Sequence, residues 1–219
     1  TLTHSNGDLA YGFIEDHSYV DDSGAVWPYS VCRFSFTQIS LGGGVVVSVR
    51  GNNALQLDAY SGDLVLGANI RVDGGDAKAT DGGVAIAGGY SGMDAGAGPG
   101  AGPGAPETTS TSGHGAAYGG HGSGNAKIYG DRALDNLLGG SSGGSTATEG
   151  SGAGGGALWL KSAREILIKP NTVLSANGGN GAGDGASGAG GGIRLEGIRV
   201  YNYGRIEAKA GVGVKEYNQ

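Results

Sequence analysis

Short apolar triplets recur along the chain, each with two apolar residues flanking one central position. The first are Phe34-Ser-Phe36, Ile39-Ser-Leu41 and Val45-Val-Val-Ser-Val49, followed by Leu55-Gln-Leu57, Leu64-Val-Leu66 and Ile70-Arg-Val72. After a long gap come Leu158-Trp-Leu160, Ile166-Leu-Ile168 and Leu174-Ser-Ala176, then Ile193-Arg-Leu195, Ile198-Arg-Val200 and Ile206-Glu-Ala208. Alternation with a period of two predicts strands with one buried face. The triplets group in threes, starting at 34, 39 and 47; at 55, 64 and 70; at 158, 166 and 174; and at 193, 198 and 206. Three of the sets end in similar corners: Val72-Asp-Gly-Gly75, Ala176-Asn-Gly-Gly179 and Ala208-Lys-Ala-Gly211. Self-similarity of this kind marks a repeat architecture.

Three short strands per unit, joined by tight corners, predict an all-β chain. Its expected form is a short right-handed parallel β-helix of about four coils, each strand stacked ~4.8 Å from its equivalent in the next coil. The expected inward ladders are Leu55/Leu158/Ile193, Leu64/Ile166/Ile198 and Ile70/Leu174/Ile206. An antiparallel sandwich is the competing arrangement, but the spacing of the triplets recurs where a sandwich would show hairpin dipeptides. The whole chain, 1–219, reads as one domain. Residues 1–30 form an N-terminal cap or assembly segment, and 31–75 the first coils. Residues 76–156 form a glycine-rich insertion, 157–211 the last coils with a short glycine-rich loop at 178–191, and 212–219 a tail.

Composition sharpens the picture. Glycine supplies 50 of 219 residues, about three times its usual share of roughly 7%. Disordered chains are poor in β-branched and aromatic residues, whereas here the glycine tracts separate apolar strands. Both insertions leave from the corner after a third strand, so they lie side by side. Either they are linker-like loops, or they pack as extended polyproline-II or polyglycine-II-like segments. Within the long insertion, 98–124 is the stretch expected to be mobile, while 84–86 and 133–138 are expected to tuck back. No apolar run is long enough for a membrane span, and no strict Gly-X-Y period exists. No leader is recognisable at Thr1, so the chain reads as mature or as a fragment.

Candidate chemistry is sparse. A net charge of −6 does not suit nucleic acid, whose phosphates need a basic patch. Cys32, alone of its kind and in step with Phe34 and Phe36, reads as a small hydrophobe. His114 and His121 make a metal pair without a third ligand. Glu15-Asp16 and Asp21-Asp22 suit solvated turns better than catalysis. Asp73, Asp76 and Asp81 are similar to part of a calcium-binding β-roll, but the nonapeptide spacing is missing; Ca2+ is the one cofactor they would suit. Glycine runs lack the Lys-Ser/Thr of a phosphate loop. No catalytic residue, cofactor-binding residue or assembled metal site is therefore expected.

Outward-facing central residues carry more information. Trp159 is expected one rung from Arg194, with Gln56 on its other side and Leu167 and Arg199 on the next strands. Such a surface either stacks on sugar rings through Trp159 and Arg194 or is covered by protein, as Trp159 and Leu167 make their strands apolar on both faces. A solenoid also needs caps or partners at its ends. The chain is thus expected to form a homo-oligomer or polymer, with extracellular polysaccharide as a further partner.

The stretches Gly154-Gly-Gly-Ala-Leu-Trp-Leu-Lys161, Leu174-Ser-Ala-Asn-Gly-Gly-Asn-Gly181 and Gly190-Gly-Gly-Ile-Arg-Leu195 resemble secreted glycine-rich β-helical repeat proteins of bacterial and eukaryotic cell surfaces and extracellular matrix. So do 129–144 and 34–53, and the likeness covers roughly 30–211. It implies a β-helical fold and an extracellular or cell-surface location, with no catalytic motif to carry over. The expected function is that of a non-enzymatic structural subunit of an extracellular filament, sheath or matrix. A carbohydrate-binding surface adhesin is the alternative, and a polysaccharide lyase, by analogy of fold alone, the third.

Overall fold

The structure is a computed structural model that describes residues 2–3, 9–92, 96–102, 113–119, 122, 126–130 and 134–213. The described residues are all-β, without a helix. In chain order the strands are β1 (Leu2–Thr3), β2 (Leu9–Ala10), β3 (Phe13–Val20), β4 (Val26–Phe36) and β5 (Ile39–Leu41). Then follow β6 (Ala54–Ala59), β7 (Leu64–Leu66), β8 (Ile70–Arg71), β9 (Ala157–Ser162) and β10 (Glu165–Ile168). The last are β11 (Val173–Ser175), β12 (Gly192–Glu196), β13 (Arg199–Asn202) and β14 (Arg205–Glu207). β1 and β2 pair with each other. The rest form three sheets, ordered β3-β4-β6-β9-β12, β5-β7-β10-β13 and β8-β11-β14. Every pairing in the three sheets is parallel except β3 with β4.

The chain visits the sheets in rotation, and the triplet spacing dictates the register. Leu55, Leu158 and Ile193 are Cα partners, as are Ile70, Leu174 and Ile206. Their inward side chains make one core, in which Leu64, Leu66, Ile70, Leu158, Leu160, Ile166, Ile168 and Leu174 are fully buried. The third expected ladder is corrected by one step: Leu64 and Ile166 continue to Val200, not Ile198. Ile198 lies in the corner after Gly197, where its N–H donates to the Arg164 carbonyl, and it is 77% exposed.

The first round also departs from expectation. Cys32 pairs with Leu55, and Phe34 pairs with Leu57. Residues 45–49 form no strand, although Val47 and Val49 still pack on the core. The N-terminal segment is a hairpin rather than a separate cap, because β4 runs through the boundary expected at 30/31 and β3 pairs along it from Phe13–Arg33 to Val20–Val26. Its turn is tied by Asp21, whose Oδ1 accepts the Ser23 and Ala25 N–H groups at 2.9 and 3.0 Å.

Both glycine-rich insertions leave from the sheet of β8 and β11 and return to β9 and β12, so they do share a corner. Their described parts are densely hydrogen bonded without forming sheets. Residues 150–156, all buried, sit at the centre and bond to segments around 72–83, 90, 140–143, 179–182 and 186–192. A strand in a sheet has only two neighbours. The bonds recur every third residue. Gly152 and Gly155 donate to Ala186 and Ala189, Ala153 and Gly156 to Gly75 and Val72, while Gly143 and Gly140 donate to Gly152 and Gly155. Side chains are excluded from the glycine positions of this packing. A Cβ on Gly154 would fall deep inside the Gly140 carbonyl oxygen, and one on Gly156 would lie 2.7 Å from the Ile86 oxygen.

Asx side chains stitch the corner from round to round. Asn69 Oδ1 accepts the Val173 N–H and Asp73 Oδ1 the Asn177 N–H, both at 2.7 Å. Asn177 Oδ1 then accepts from Lys209 at 2.9 Å. Three residues further on, Asp76 accepts from Asn180 at 2.7 Å and Asn180 from Val212 at 2.6 Å. The similar corners seen in the sequence thus have one job.

Candidate functional site

The outward face of the β4-β6-β9-β12 sheet brings three of the five candidate residues into one row. Gln56 is the Cα partner of Trp159, and Trp159 of Arg194. The Arg194 guanidinium carbon lies 4.4 Å from the Trp159 ring centre, and Lys161 Nζ lies 5.4 Å from it. Arg194 is fixed from three sides: it donates to the Leu134 carbonyl at 3.2 Å and pairs with Glu196 at 3.2 Å and Asp135 at 3.5 Å. Lys161 pairs with Glu196 at 3.1 Å. Gln56 is only 3% exposed.

Cover for this face comes from the long insertion. Leu137 is buried in a second cluster with Val31, Ala54 and Ala157, and Trp159 and Tyr29 pack against it. A guanidinium on the indole, itself bonded to the Leu134 carbonyl, leaves that part of the ring to protein rather than to a sugar. The Trp159 N–H is shut off from solvent with no acceptor among the described residues, a costly state for a donor. Residues 134–138 therefore tuck back as the apolar pattern indicates; residue 133 lies outside the described residues.

Leu167 and Arg199 belong to the neighbouring sheet and do not join this cluster. Leu167 pairs with Val65 and Tyr201. Arg199 is exposed and meets Glu165 at 3.1 Å, a contact that raises its pKa further.

Among the described residues no three His, Cys, Asp or Glu side chains gather as a metal site. Asp73 uses both oxygens within the fold, accepting from Asn177 N–H and, at 2.9 Å, from the Ser175 hydroxyl. Asp81 sits in a two-way backbone bridge with Lys78. His121 and much of 98–124 lie outside the described residues. Asp21 is held well below the usual carboxylate range, first by the Ser23 hydroxyl and then by the Trp27 indole N–H.

Sequence reasoning missed a buried polar node in the bundle. The Tyr129 hydroxyl donates to the Gly139 carbonyl at 2.6 Å, and Ser141 donates to Tyr129 at 3.0 Å while accepting from the Gly100 N–H at 3.0 Å. Burial raises the Tyr129 pKa well above its ordinary value. Tyr118 meets Tyr129 edge-on at 4.9 Å, and Trp27 meets Tyr90 at 6.4 Å, so aromatic rings join bundle and hairpin. Tyrosines at 90, 118 and 129 among glycines were the available signal. No helix among the described residues is long and apolar enough to cross a membrane. No protein-family model matches the chain, and neither curated proteins nor solved structures give a match.

Proposed function

We propose that this chain is a secreted, non-enzymatic structural protein, a self-associating subunit of an extracellular filament, sheath or matrix. Its strand rounds are successive coils of a right-handed parallel β-helix, and its insertions are a polyglycine-II-like bundle leaving one corner. The observation that carries this reading is the three-residue hydrogen-bond repeat through 140–156 and 176–191. Three residues per turn without internal bonds is the geometry of the polyproline-II helix. Such segments bond in all directions across their axis, so a bundle of them is stiff without a side-chain core. The likeness to secreted glycine-rich β-helical repeat proteins supports the same reading, including the extracellular location.

Chemistry on the outward face points the same way, because the Trp159–Arg194 pair is engaged by residues 134–137. Negative-stain electron microscopy of the purified chain at rising concentration, with a glycan array in parallel, tests the proposal. Extended assemblies with no retained glycan are expected. Particles that never grow beyond a small closed oligomer, together with glycan retention lost in Trp159→Ala, would replace it with the adhesin.

A further inference from the structure

The two ends of the strand stack are not alike. At the N-terminal end Phe34 and Ile39 are 5% and 8% exposed, with Val47 and Val49 packed on the core and β3 laid along β4. The β3 residues opposite Cys32, Ser30 and Pro28 are Ile14, Asp16 and Ser18, so beyond an exposed Ile14 the positions along β3 turn polar. At the other end no strand among the described residues follows β12, β13 or β14. Val200 and Ile206 are 42% and 37% exposed, whereas their partners one round earlier, Ile166 and Leu174, are fully buried. β12, β13 and β14 are each the edge of their sheet, as β3, β5 and β8 are at the other end, with unpaired backbone groups along the outer side.

The charges on those edges are self-complementary. β12 carries Arg194-Leu195-Glu196 and β14 carries Arg205-Ile206-Glu207. Antiparallel pairing of one triplet with the other sets Arg194 against Glu207, Leu195 against Ile206 and Glu196 against Arg205. Between, β13 laid antiparallel on itself about Val200 sets Arg199 against Tyr201, a cation–π pair.

We propose that a second copy of this chain docks on the last round, end to end about a two-fold axis through β13. This rests on the coil reading given above. Each coil climbs one strand spacing, ~4.8 Å, so two such ramps face each other evenly only when the axis passes through the middle strand. β12 of one copy then meets β14 of the other, which is the crossing that the charges favour. An isologous contact is also the one in which the same end of both copies is covered at once.

Light scattering coupled to size exclusion tests this with two variants. Arg194→Glu/Glu196→Arg reverses β12, and Arg205→Glu/Glu207→Arg reverses β14. The native chain is expected to be a dimer, or to grow in steps of two. Each variant alone sets like charges together and weakens dimerisation by about tenfold or more. Mixing the two variants restores matching charges at both crossings and returns the dimer, which also shows that both are folded. A monomeric native chain, from its own residues 214–219 covering the end or from water alone, would overturn the inference. So would two variants that associate as the native chain does, or a mixture that stays dissociated. Open-ended polymers indifferent to the reversals would overturn the two-fold contact and keep the filament; a dimer that grows no further would keep the contact and sink the filament.

Discussion

The strand rounds and the glycine bundle solve the same problem by opposite means. Both must give every buried N–H and C=O a partner. In the rounds a strand has at most two neighbours, and stability rests on side chains such as Leu158 and Ile166 that fill the space between sheets. In the bundle residues 150–156 bond to several segments on all sides, and the space between them admits no side chain at positions such as Gly154. Removing methyl groups should therefore damage the first region, and adding one should damage the second.

Four substitutions and one titration sharpen that contrast. Leu158→Ala opens a cavity at a fully buried ladder position and is expected to lower stability by about 2–5 kcal/mol, measured by denaturant unfolding. Gly154→Ala pushes a methyl group into the Gly140 carbonyl; overpacking of this kind is expected to cost about 1–3 kcal/mol or more. A cavity-free substitution that destabilises while Gly42→Ala does not would show that close packing, rather than glycine content, matters. Arg194→Gln removes the guanidinium from Trp159 and is expected to cost about 0.5–2 kcal/mol, with a shift in Trp159 emission. Asp21 has a lowered pKa in the folded hairpin, so its support for the turn is present above the ordinary carboxylate pKa of ~3.9 and fades as pH falls below it. Trp27 fluorescence in a Trp159→Phe background should report that loss. Smallest of all, Gly42→Ala meets open space and is expected to stay within about 0.5 kcal/mol.

Much of the strand region was legible because its signal is carried by side chains. The triplets at 55, 64, 70, 158, 166 and 174 coincide with strands, and alignment of triplets placed Trp159 beside Arg194. The failures are local. Ile198-Arg-Val200 matches the template, yet Gly197 gives the corner to Ile198 and only Val200 reaches the core. β3 reads Phe-Ile-Glu-Asp-His-Ser-Tyr-Val, with no clean alternation, because one side of it covers no apolar core. Val45 to Val49 has the right residues but no strand partner in the next round. The order within the glycine tracts was not legible, since its repeat lies in backbone bonds that glycine, alanine and serine make equally well. For the same reason the cover over Trp159 was visible only as an apolar cluster at 134–138, without its target.

Amide hydrogen exchange of the 15N-glycine- and 15N-leucine-labelled protein tests the central claim most directly. The N–H groups of Gly152, Gly154, Gly155, Gly179 and Gly188 all donate to backbone carbonyls of other segments. They should be protected to the degree of Leu158 and Leu160 in β9, opening only with the fold as a whole. Exchange of these glycines at the rate of an unstructured chain, with β9 still protected, would contradict the ordered bundle.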